Sequence, residues 1–583
     1  MMRKKVIFLL LAFLPLLTMA DREGKMTITT ESAGELSQYL PDSIRYTISE
    51  LKISGPINGA DLKLMKMLTQ HLAIKKTGER ILTVLDLGDA TVTESKGGFR
   101  TKSDMFPAGM FVNAKALEKI ILPDSMQEIS KSCFSGCLSL KEVELPEGLT
   151  VINDNAFINC GSLTNINFPT TLTAIESHAF ENCRSLKSID MPASVELIND
   201  YAFNKCTGLE HAGLMCNIKR VSNSTFYGCE ALMSVELPAT VTQIGNAAFM
   251  GCRSLQDIVM PEAVAEIGNS AFEGCASLGS FEVRTASRIG SDAFHGCTSL
   301  QTVDIENISR MGNNAFENCT GLTTISIDGN ITLIGTETFS GCSNLSSVIL
   351  PSTIKTIGTR AFYECKSLPS IDLPESLTKI NDHAFEGCSS LREIIIPNLV
   401  RQLGSDCFEN CISLDSVVIE GFIGKLESDM FRYCHSLRSV TLPVSVKSIG
   451  DNAFEQCSLL ENIMLPISVT SIGDNAFDRC ASLKYMAIPA ACNSIGSAAF
   501  RECSALTRLE LPAAIKKLGG NAFTKCVSLR EIFIITPLPP NIASSTFKGV
   551  VMNACKIIVP RGAKNNYRKD RSWGKMPNIV EQD

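Results

Sequence analysis

The chain has 583 residues, more than one hydrophobic core supports, so it must form several domains or a repeat array. Its composition is aliphatic: hydrophobic residues make up 45%, charged residues 20%, and there are only one Trp and eight Tyr. The formal charge is −7, and loss of the first twenty residues, which hold three cations and no acid, would make it −10. A mildly acidic surface argues against nucleic acid as a partner.

The first twenty residues have the pattern of a secretory signal peptide. A basic start, Arg3, Lys4 and Lys5, precedes an apolar run over residues 6–17, and small residues lead to Ala20. This run is shorter than the ~20 residues that a membrane span needs, so a single membrane anchor is the weaker alternative. No later segment is long and apolar enough for a transmembrane segment. The sequence predicts an exported chain, at the cell surface or secreted, with the periplasm as the alternative location.

From residue 106 onward the sequence repeats itself. A phenylalanine recurs with a step of 23 residues, apart from two steps of 22 and a last one of 24, which gives twenty units. Self-similarity at such a period is typical of a solenoid, in which each unit forms one coil and stacks on its neighbours. The repeated phenylalanines are Phe111, Phe134, Phe157, Phe180, Phe203, Phe226, Phe249, Phe272, Phe294, Phe316, Phe339, Phe362, Phe385, Phe408, Phe431, Phe454, Phe477, Phe500, Phe523 and Phe547.

Each unit predicts a coil with two strands and a turn. The segment Ser-Leu-x-x-Ile-x-Leu-Pro alternates apolar residues, as a half-buried strand does, and proline ends it because proline has no N–H group. Val-x-x-Ile predicts a second, shorter strand. The position four residues before the repeated phenylalanine, here called the turn slot, is Gly in eleven units and Asn in three. Since Gly and Asn tolerate positive φ, we expect a sharp turn there.

A cysteine follows the phenylalanine by three residues in eighteen units, a spacing consistent with one helical turn. Strands about 4.8 Å apart meet the Cα criterion for a disulfide, but parallel side chains hold their Cβ atoms near that distance, beyond the ~3.8 Å optimum. We therefore predict a column of buried thiols. Cys133 with Cys137 and Cys407 with Cys411, each pair one turn apart, are the exceptions most open to pairing.

These units resemble the BspA-like leucine-rich repeat proteins, whose repeat has the form Leu-Pro-x-Ser-Val-x-x-Ile-Gly-x-x-Ala-Phe-x-x-Cys-x-Ser-Leu. The segment LPISVTSIGDNAFDRC, residues 465–480, matches it closely. Residues 51–65 with 82–92, and residues 557–567, resemble the N-terminal cap and the closing segment of Bacteroides-type members. The resemblance implies a cell-surface or secreted protein that binds host proteins or other cells. It leaves the ligand open.

The sequence thus predicts a strand-rich α/β repeat protein: a right-handed leucine-rich-repeat solenoid of about twenty 23-residue coils. Residues 1–20 are assigned to the signal peptide, 21–105 to an N-terminal cap region, 106–550 to the repeats and 551–583 to a C-terminal cap, because the open ends of a solenoid need covering. Within the N-terminal region, residues 61–72 place apolar side chains on one helical side, and residues 82–87 alternate as a strand.

The sequence contains no motif for catalysis, a metal or a cofactor. It lacks His-Glu-x-x-His, Cys-x-x-Cys, Gly-x-Ser-x-Gly and the Gly-rich phosphate loops. His178, His295 and His383 lie beside a repeated phenylalanine, where other units have Asn, Glu or Ser. We predict that the protein is not an enzyme. An enzyme with a repeat appendage is the weakest alternative, because residues 21–105 are too few and too poor in motifs.

The outward strand position between Ile and Leu is the candidate binding surface. It carries acids in the first half of the array and apolar residues in the second, and exposed aliphatic residues on a strand face suit a protein partner, such as a host matrix protein or another cell surface. A passive spacer of the cell envelope is the alternative, since β-propensity alone favours Ile, Val and Phe. The candidate partner-binding residues, with Tyr485 beside this row, are Glu144, Asp190, Glu236, Glu282, Ile349, Ile395, Val418, Met464, Tyr485 and Phe533.

Overall fold

The chain is a strand-rich, mostly parallel β-solenoid of about 24 turns with little helix, which confirms the predicted repeat fold. The computed structural model describes residues 21, 23–72, 78–96, 99–283 and 285–582. The predicted signal peptide lies outside these residues, and the handedness and the caps stay predictions. Two compact units divide the chain, unit 1 (Met1–Thr240) and unit 2 (Val241–Asp583), and each is described by itself.

Unit 1 contains two helices and fourteen strands in its described residues. The helices are α1 (Leu36–Tyr39) and α2 (Gly59–Gln70). The strands are β1 (Lys25–Thr29), β2 (Glu50–Ile57), β3 (Val84–Asp86), β4 (Ala90–Val92), β5 (Lys119–Ile121), β6 (Glu128–Ile129), β7 (Glu142–Glu144), β8 (Val151–Ile152), β9 (Ala174–Ile175), β10 (Ser188–Asp190), β11 (Leu197–Ile198), β12 (His211–Gly213), β13 (Arg220–Val221) and β14 (Ser234–Glu236). The parallel orders are β1-β2-β3-β5-β7, with β4 on β2, then β10-β12-β14, and β6-β8-β9-β11.

Unit 2 repeats this arrangement with 27 described strands and one α-helix. The strands are β15 (Gln243–Ile244), β16 (Asp257–Ile258), β17 (Glu266–Ile267), β18 (Ser280–Val283), β19 (Arg288–Ile289), β20 (Thr302–Ile308), β21 (Arg310–Met311), β22 (Thr324–Gly329), β23 (Leu333–Ile334), β24 (Ser347–Ile349), β25 (Thr356–Ile357), β26 (Lys379–Ile380), β27 (Glu393–Ile396), β28 (Gln402–Leu403), β29 (Ser416–Ile419), β30 (Lys425–Leu426), β31 (Ser439–Thr441), β32 (Ser448–Ile449), β33 (Ser471–Ile472), β34 (Tyr485–Ala487), β35 (Ser494–Ile495), β36 (Arg508–Leu511), β37 (Lys517–Leu518), β38 (Glu531–Ile534), β39 (Asn541–Ile542), β40 (Lys556–Val559) and β41 (Ile579–Glu581). The helix is α3 (Lys564–Lys569), with 3₁₀ turns at Met552–Ala554 and Trp573–Lys575.

In unit 2 the two kinds of strand segment in the repeat form separate sheets. The Ser-Leu-x-x-Ile-x-Leu segments form β18-β20-β22-β24, β27-β29-β31 and β34-β36-β38, and the Val-x-x-Ile segments form β15-β17-β19-β21, β23-β25-β26-β28 and β30-β32-β33-β35-β37-β39. All of these pairs are parallel, and apart from a register shift between Ile305 and Ile308 in the β20–β22 pair, each residue lies opposite its equivalent in the next coil. The alternation of apolar residues therefore fixes which side chains share a column.

The terminal segments continue the parallel stack. β1, β2 and β3 lead into β5, and β40 and β41 follow β38, so the structure has more turns than the twenty predicted. The predicted helix of residues 61–72 corresponds to α2, which buries Leu62, Met65 and Leu68. Leu72 lies beyond its end and is 50% exposed, so its predicted place on the buried side of the helix is wrong.

Proline limits the length of the strand before it. Strands followed by the repeat proline are two to four residues long, as in β16, β7 and β27. Among coils without that proline, β20 and β22 reach seven and six residues, whereas β12, β18 and β29 have three or four. Because proline donates no hydrogen bond, it stops the ladder at a fixed place in the other coils.

The repeated phenylalanines form a buried column in each unit. In unit 1 the ring centroids of Phe134 and Phe157 lie 5.1 Å apart, and in unit 2 those of Phe477 and Phe500 are also 5.1 Å apart. The planes of both pairs are inclined by no more than 7°. Every repeated phenylalanine is at most 5% exposed, which confirms that this side chain faces inward. Stacked rings at this distance add attraction to the burial of apolar area.

The cysteines form a second buried column, as predicted. All 23 are buried, and none is paired in a disulfide. Column thiols also donate hydrogen bonds to the preceding coil: Cys160 Sγ to the carbonyl of Phe134 at 3.1 Å, and Cys480 Sγ to that of Phe454 at 3.2 Å. Burial raises the pKa of Cys206 to about 12, so the thiol keeps its proton and remains a donor.

The turn slot differs from its prediction, because the glycines from Gly268 to Gly519 do not have positive φ. Glycine is needed there for a close approach. A Cβ on Gly268 would lie 2.7 Å from the backbone nitrogen of Asn246 in the preceding coil. A Cβ on Gly290 would lie 2.5 Å from that of Asn269. Both distances are far inside van der Waals contact, so successive coils pack backbone against backbone at this slot.

Positive φ occurs instead two residues before and two residues after the repeated phenylalanine. Around Phe157, Asn155 has φ 56° and Asn159 has φ 63°. The N–H of Cys160 donates to the carbonyl of Phe157 at 3.1 Å, and the N–H of Phe157 donates to Ala179 of the next coil at 2.7 Å. The predicted helical turn is thus a set of short turns that left-handed residues interrupt, bonded from coil to coil.

Candidate partner-binding surface

The predicted acidic row of unit 1 lies on the outer side of the strand face. Asp190 on β10 and Glu236 on β14 occupy equivalent positions two coils apart, and both are exposed. Glu144 is exposed too, but its carboxylate lies 2.5 Å from Lys119 Nζ. An exposed ion pair of this kind contributes at most about 1 kcal/mol. The row is acidic and partly neutralised by its neighbours.

In unit 2 the row changes from acidic to apolar within one sheet. Glu282, Asp304, Ser326 and Ile349 stand opposite one another on β18, β20, β22 and β24. Ile349 is 60% exposed, while Glu282 and Asp304 are exposed acids. The strand pairing thus aligns these four side chains in one row, which changes from acidic at Glu282 to apolar at Ile349.

The remaining predicted apolar residues divide into exposed and half-buried groups. Ile395 is 57%, Met464 88% and Tyr485 41% exposed. Val418, next to Ile395 in the sheet, is half-buried. Phe533 is half-buried as well, because the Arg508 guanidinium lies 5.1 Å from the centre of its ring. The exposed group therefore presents its apolar side chains to solvent, whereas Val418 and Phe533 do so only in part.

Sequence reasoning missed a second set of exposed apolar side chains in the loops that follow these strands. Val444 and Ile467, each directly after the proline of its repeat, are 80% and 84% exposed. They hold equivalent places in adjacent coils, and Phe422 and Leu399 lie in the two coils before them. The apolar character of the residue after proline was the available signal. The apolar patch, on four successive coils, consists of Ile395, Leu399, Phe422, Val444, Met464 and Ile467.

The histidines beside the repeated phenylalanines contact neighbouring carboxylates. His178 and His383 each lie beside a glutamate three residues on, with Nδ1 to carboxylate distances of 2.5 and 2.6 Å. No group of three His, Cys, Asp or Glu side chains in the described segments is arranged to hold a metal ion. Across the same segments, no helix has the length and apolar character to span a bilayer.

A family comparison matches most of this repeat array. The profile of the BspA type leucine rich repeat region, built of six copies, matches residues 104–232, 219–342, 309–438 and 424–553. The chain belongs to the BspA-type leucine-rich repeat family. The resemblance inferred from the repeated units is thereby confirmed. The leucine-rich-repeat solenoid of this family is a non-enzymatic repeat scaffold.

Solved structures of bacterial leucine-rich repeat proteins resemble this BspA-type chain. A leucine-rich repeat protein from Bacteroides ovatus is 28% identical, with a TM-score of 0.53 over 60% of this chain and 90% of that one. A leucine rich cell surface protein from Faecalibacterium prausnitzii is 24% identical, with a TM-score of 0.27 over 66% and 83% of the two chains. The Treponema pallidum leucine rich repeat protein is 27% identical, with a TM-score of 0.27 over 33% and 82%. No curated protein matches the chain.

Proposed function

We propose that this BspA-type protein is exported and binds a protein ligand through the apolar patch of unit 2. Val444, Met464 and Ile467 carry the proposal, since they are 80%, 88% and 84% exposed and lie on adjacent coils. Single exposed apolar residues are ordinary on protein surfaces, but a group of them is typical of an interaction site. The expected ligand is a host matrix protein or a protein of another cell surface.

The energy available from the patch fits specific binding. Burial of one Val, Ile or Met side chain contributes about 1.5–3 kcal/mol, so three residues supply the core of a contact. The solenoid holds the patch without a further change of shape, because its coils are fixed by the buried columns.

Binding by the mature chain, residues 21–583, tests the patch. Met464→Asp with Ile467→Asp removes its most exposed residues, and we expect at least about tenfold weaker binding to immobilised matrix proteins or to intact bacteria. Met215→Asp with Met233→Asp changes two exposed side chains of unit 1 and is the matched control. Equal binding by the patch variant and the original chain would favour the passive spacer instead.

Export has its own test, separate from binding. The leader pattern in residues 1–20 supports it, and we expect the mature protein to begin at Asp21. N-terminal sequencing of protein from the producing cells, with protease treatment of intact cells, would show cleavage after Ala20 and access from outside. An uncleaved chain that protease reaches only after lysis would contradict export.

A further inference from the structure

A groove of about 540 Å³ in unit 2 uses none of the strand-face residues. It follows the turns after the repeated phenylalanines, over successive coils. One side is made by the residues two positions after the phenylalanine, here called the wall position, and the bottom by those four positions after it, the floor position. The wall residues are Gln456, Arg479, Glu502 and Lys525.

The wall position departs from the rest of the array at this groove. It has positive φ in all twenty units and is Gly or Asn in thirteen of them. In five consecutive coils it is instead Tyr433, Gln456, Arg479, Glu502 and Lys525, with φ between 59° and 62°. Long side chains are unfavourable in the left-handed region, which Gly and Asn occupy readily. Backbone strain of this kind is concentrated at functional sites, because something other than stability retains it.

The floor keeps the groove open. Ser458, Ala481 and Ser504 are small, and they lie between His435 at one end and Val527 at the other. The serine hydroxyls donate to carbonyls of the preceding coil, Ser458 to His435 at 3.2 Å and Ser504 to Ala481 at 3.3 Å. Their protons are therefore used within the protein. The floor offers methyl and methylene groups, while the wall offers charge.

The wall carries a net positive charge in a chain whose formal charge is −7. Glu502 accepts hydrogen bonds from Lys525 Nζ at 2.6 Å and from Arg479 Nε at 3.2 Å. These bonds, Lys525 first, lower the pKa of Glu502, so it stays ionised at neutral pH. Two cations then share one carboxylate. Arg479 makes no other side-chain hydrogen bond to the described residues, which leaves its two terminal amino groups to a ligand.

We propose that this groove binds an acidic peptide segment in the polyproline II conformation, in which carboxylates three residues apart lie on the same side. The rings of Phe477 and Phe500 are 5.1 Å apart and those of Phe500 and Phe523 are 5.3 Å apart. Arg479 and Lys525 therefore stand on coils about 10 Å apart, close to the ~9 Å that one three-residue turn of polyproline II spans. The groove shares no residue with the apolar patch. One proposal can therefore fail while the other holds.

The probe is a fluorescein-labelled Gly/Ser peptide with two aspartates separated by two residues, titrated with the mature chain. The control peptide has the same composition and adjacent aspartates. We expect the spaced peptide to bind at least about fivefold more tightly, and binding to weaken with salt. Equal affinity of the two peptides, or no binding of the spaced one, overturns the proposal.

The decisive variant is Arg479→Asn with Lys525→Asn. Asn suits positive φ, so we expect the melting temperature to be unchanged or higher while peptide binding falls at least about tenfold. Lys205→Asn makes the same exchange at the wall position of a unit 1 coil and should leave binding unchanged. Undiminished binding by the double variant, or a lower melting temperature, would show that the wall side chains serve the fold, and would overturn the proposal.

Discussion

The two units join successive coils differently at the turn slot. In unit 1 the slot has no glycine, and its side chains reach the preceding coil: Asn153 Nδ2 donates to the carbonyl of Ile129 at 3.0 Å, and Ser222 Oγ to that of Ile198 at 2.6 Å. In unit 2 the slot is glycine in eleven of fourteen units, and backbones touch there directly. The same junction is thus made by a side chain in one unit and by the missing Cβ in the other.

The phenylalanine column is the feature that both units share, so its loss should have the largest effect. Phe157→Ala in unit 1 and Phe477→Ala in unit 2 should each lower the free energy of unfolding by about 3–5 kcal/mol, because each removes a fully buried ring and leaves a cavity. Urea denaturation of each variant, followed through the unfolding of the unit that carries the substitution, measures this loss in free energy of unfolding. A loss below about 1 kcal/mol in either unit would mean that the column is not the common core.

The turn slot itself distinguishes the units. Gly290→Ala forces a Cβ against the backbone of Asn269 and should cost about 1–3 kcal/mol. Asn153→Ala removes one hydrogen bond and should cost about 1 kcal/mol. The same denaturation experiment compares them. A Gly290→Ala protein as stable as the original would refute the backbone contact.

Glu409 in unit 2 should give a smaller effect on stability, and one that depends on pH. Burial, then Glu386 and Asp406, raise the pKa of Glu409 to about 7, and Arg432 only partly opposes this. Because the pKa in the folded state is above the unfolded value, protonated Glu409 favours the fold, and this contribution is lost as pH rises through 7. Glu409→Gln should therefore stabilise the protein at pH 8 by about 1–3 kcal/mol and have little effect at pH 4.5.

Melting curves of the Glu409→Gln protein at the two pH values measure this effect. Glu461→Gln is the control, since hydrogen bonding to Lys484 lowers the pKa of that exposed carboxyl and its loss should not stabilise at pH 8. A Glu409→Gln gain of the same size at both pH values would exclude the titration as the cause.

The period of the sequence was enough to predict the coil, its strands and the Phe and Cys columns. The period could not predict the conformation of the turn slot. Glycine is used either where φ is positive or where two backbones approach closely, and only the three-dimensional structure shows that the second reason applies at Gly290. The positive φ at Asn155 and Asn159 was missed, although Asn and Gly are frequent two residues after the repeated phenylalanine. The terminal strands lack the repeat pattern, so their place in the stack could not be predicted.

The candidate surface shows the same limit. Alternation identified the outward row, and Ile395 and Met464 are exposed as expected. It could not show that neighbouring side chains cover Val418 and Phe533, which depends on contacts such as the Arg508 guanidinium over the Phe533 ring. The loop residues Val444 and Ile467 were overlooked because the pattern was followed only to the proline.

Alkylation of the cysteines tests the stacked-column account most directly. If the coils pile their thiols inside, the folded mature chain treated briefly with iodoacetamide should gain almost no mass, while the chain unfolded in guanidinium without reductant should gain 23 labels. Rapid labelling of several cysteines in the folded protein, or fewer labels after unfolding because disulfides are present, would contradict it.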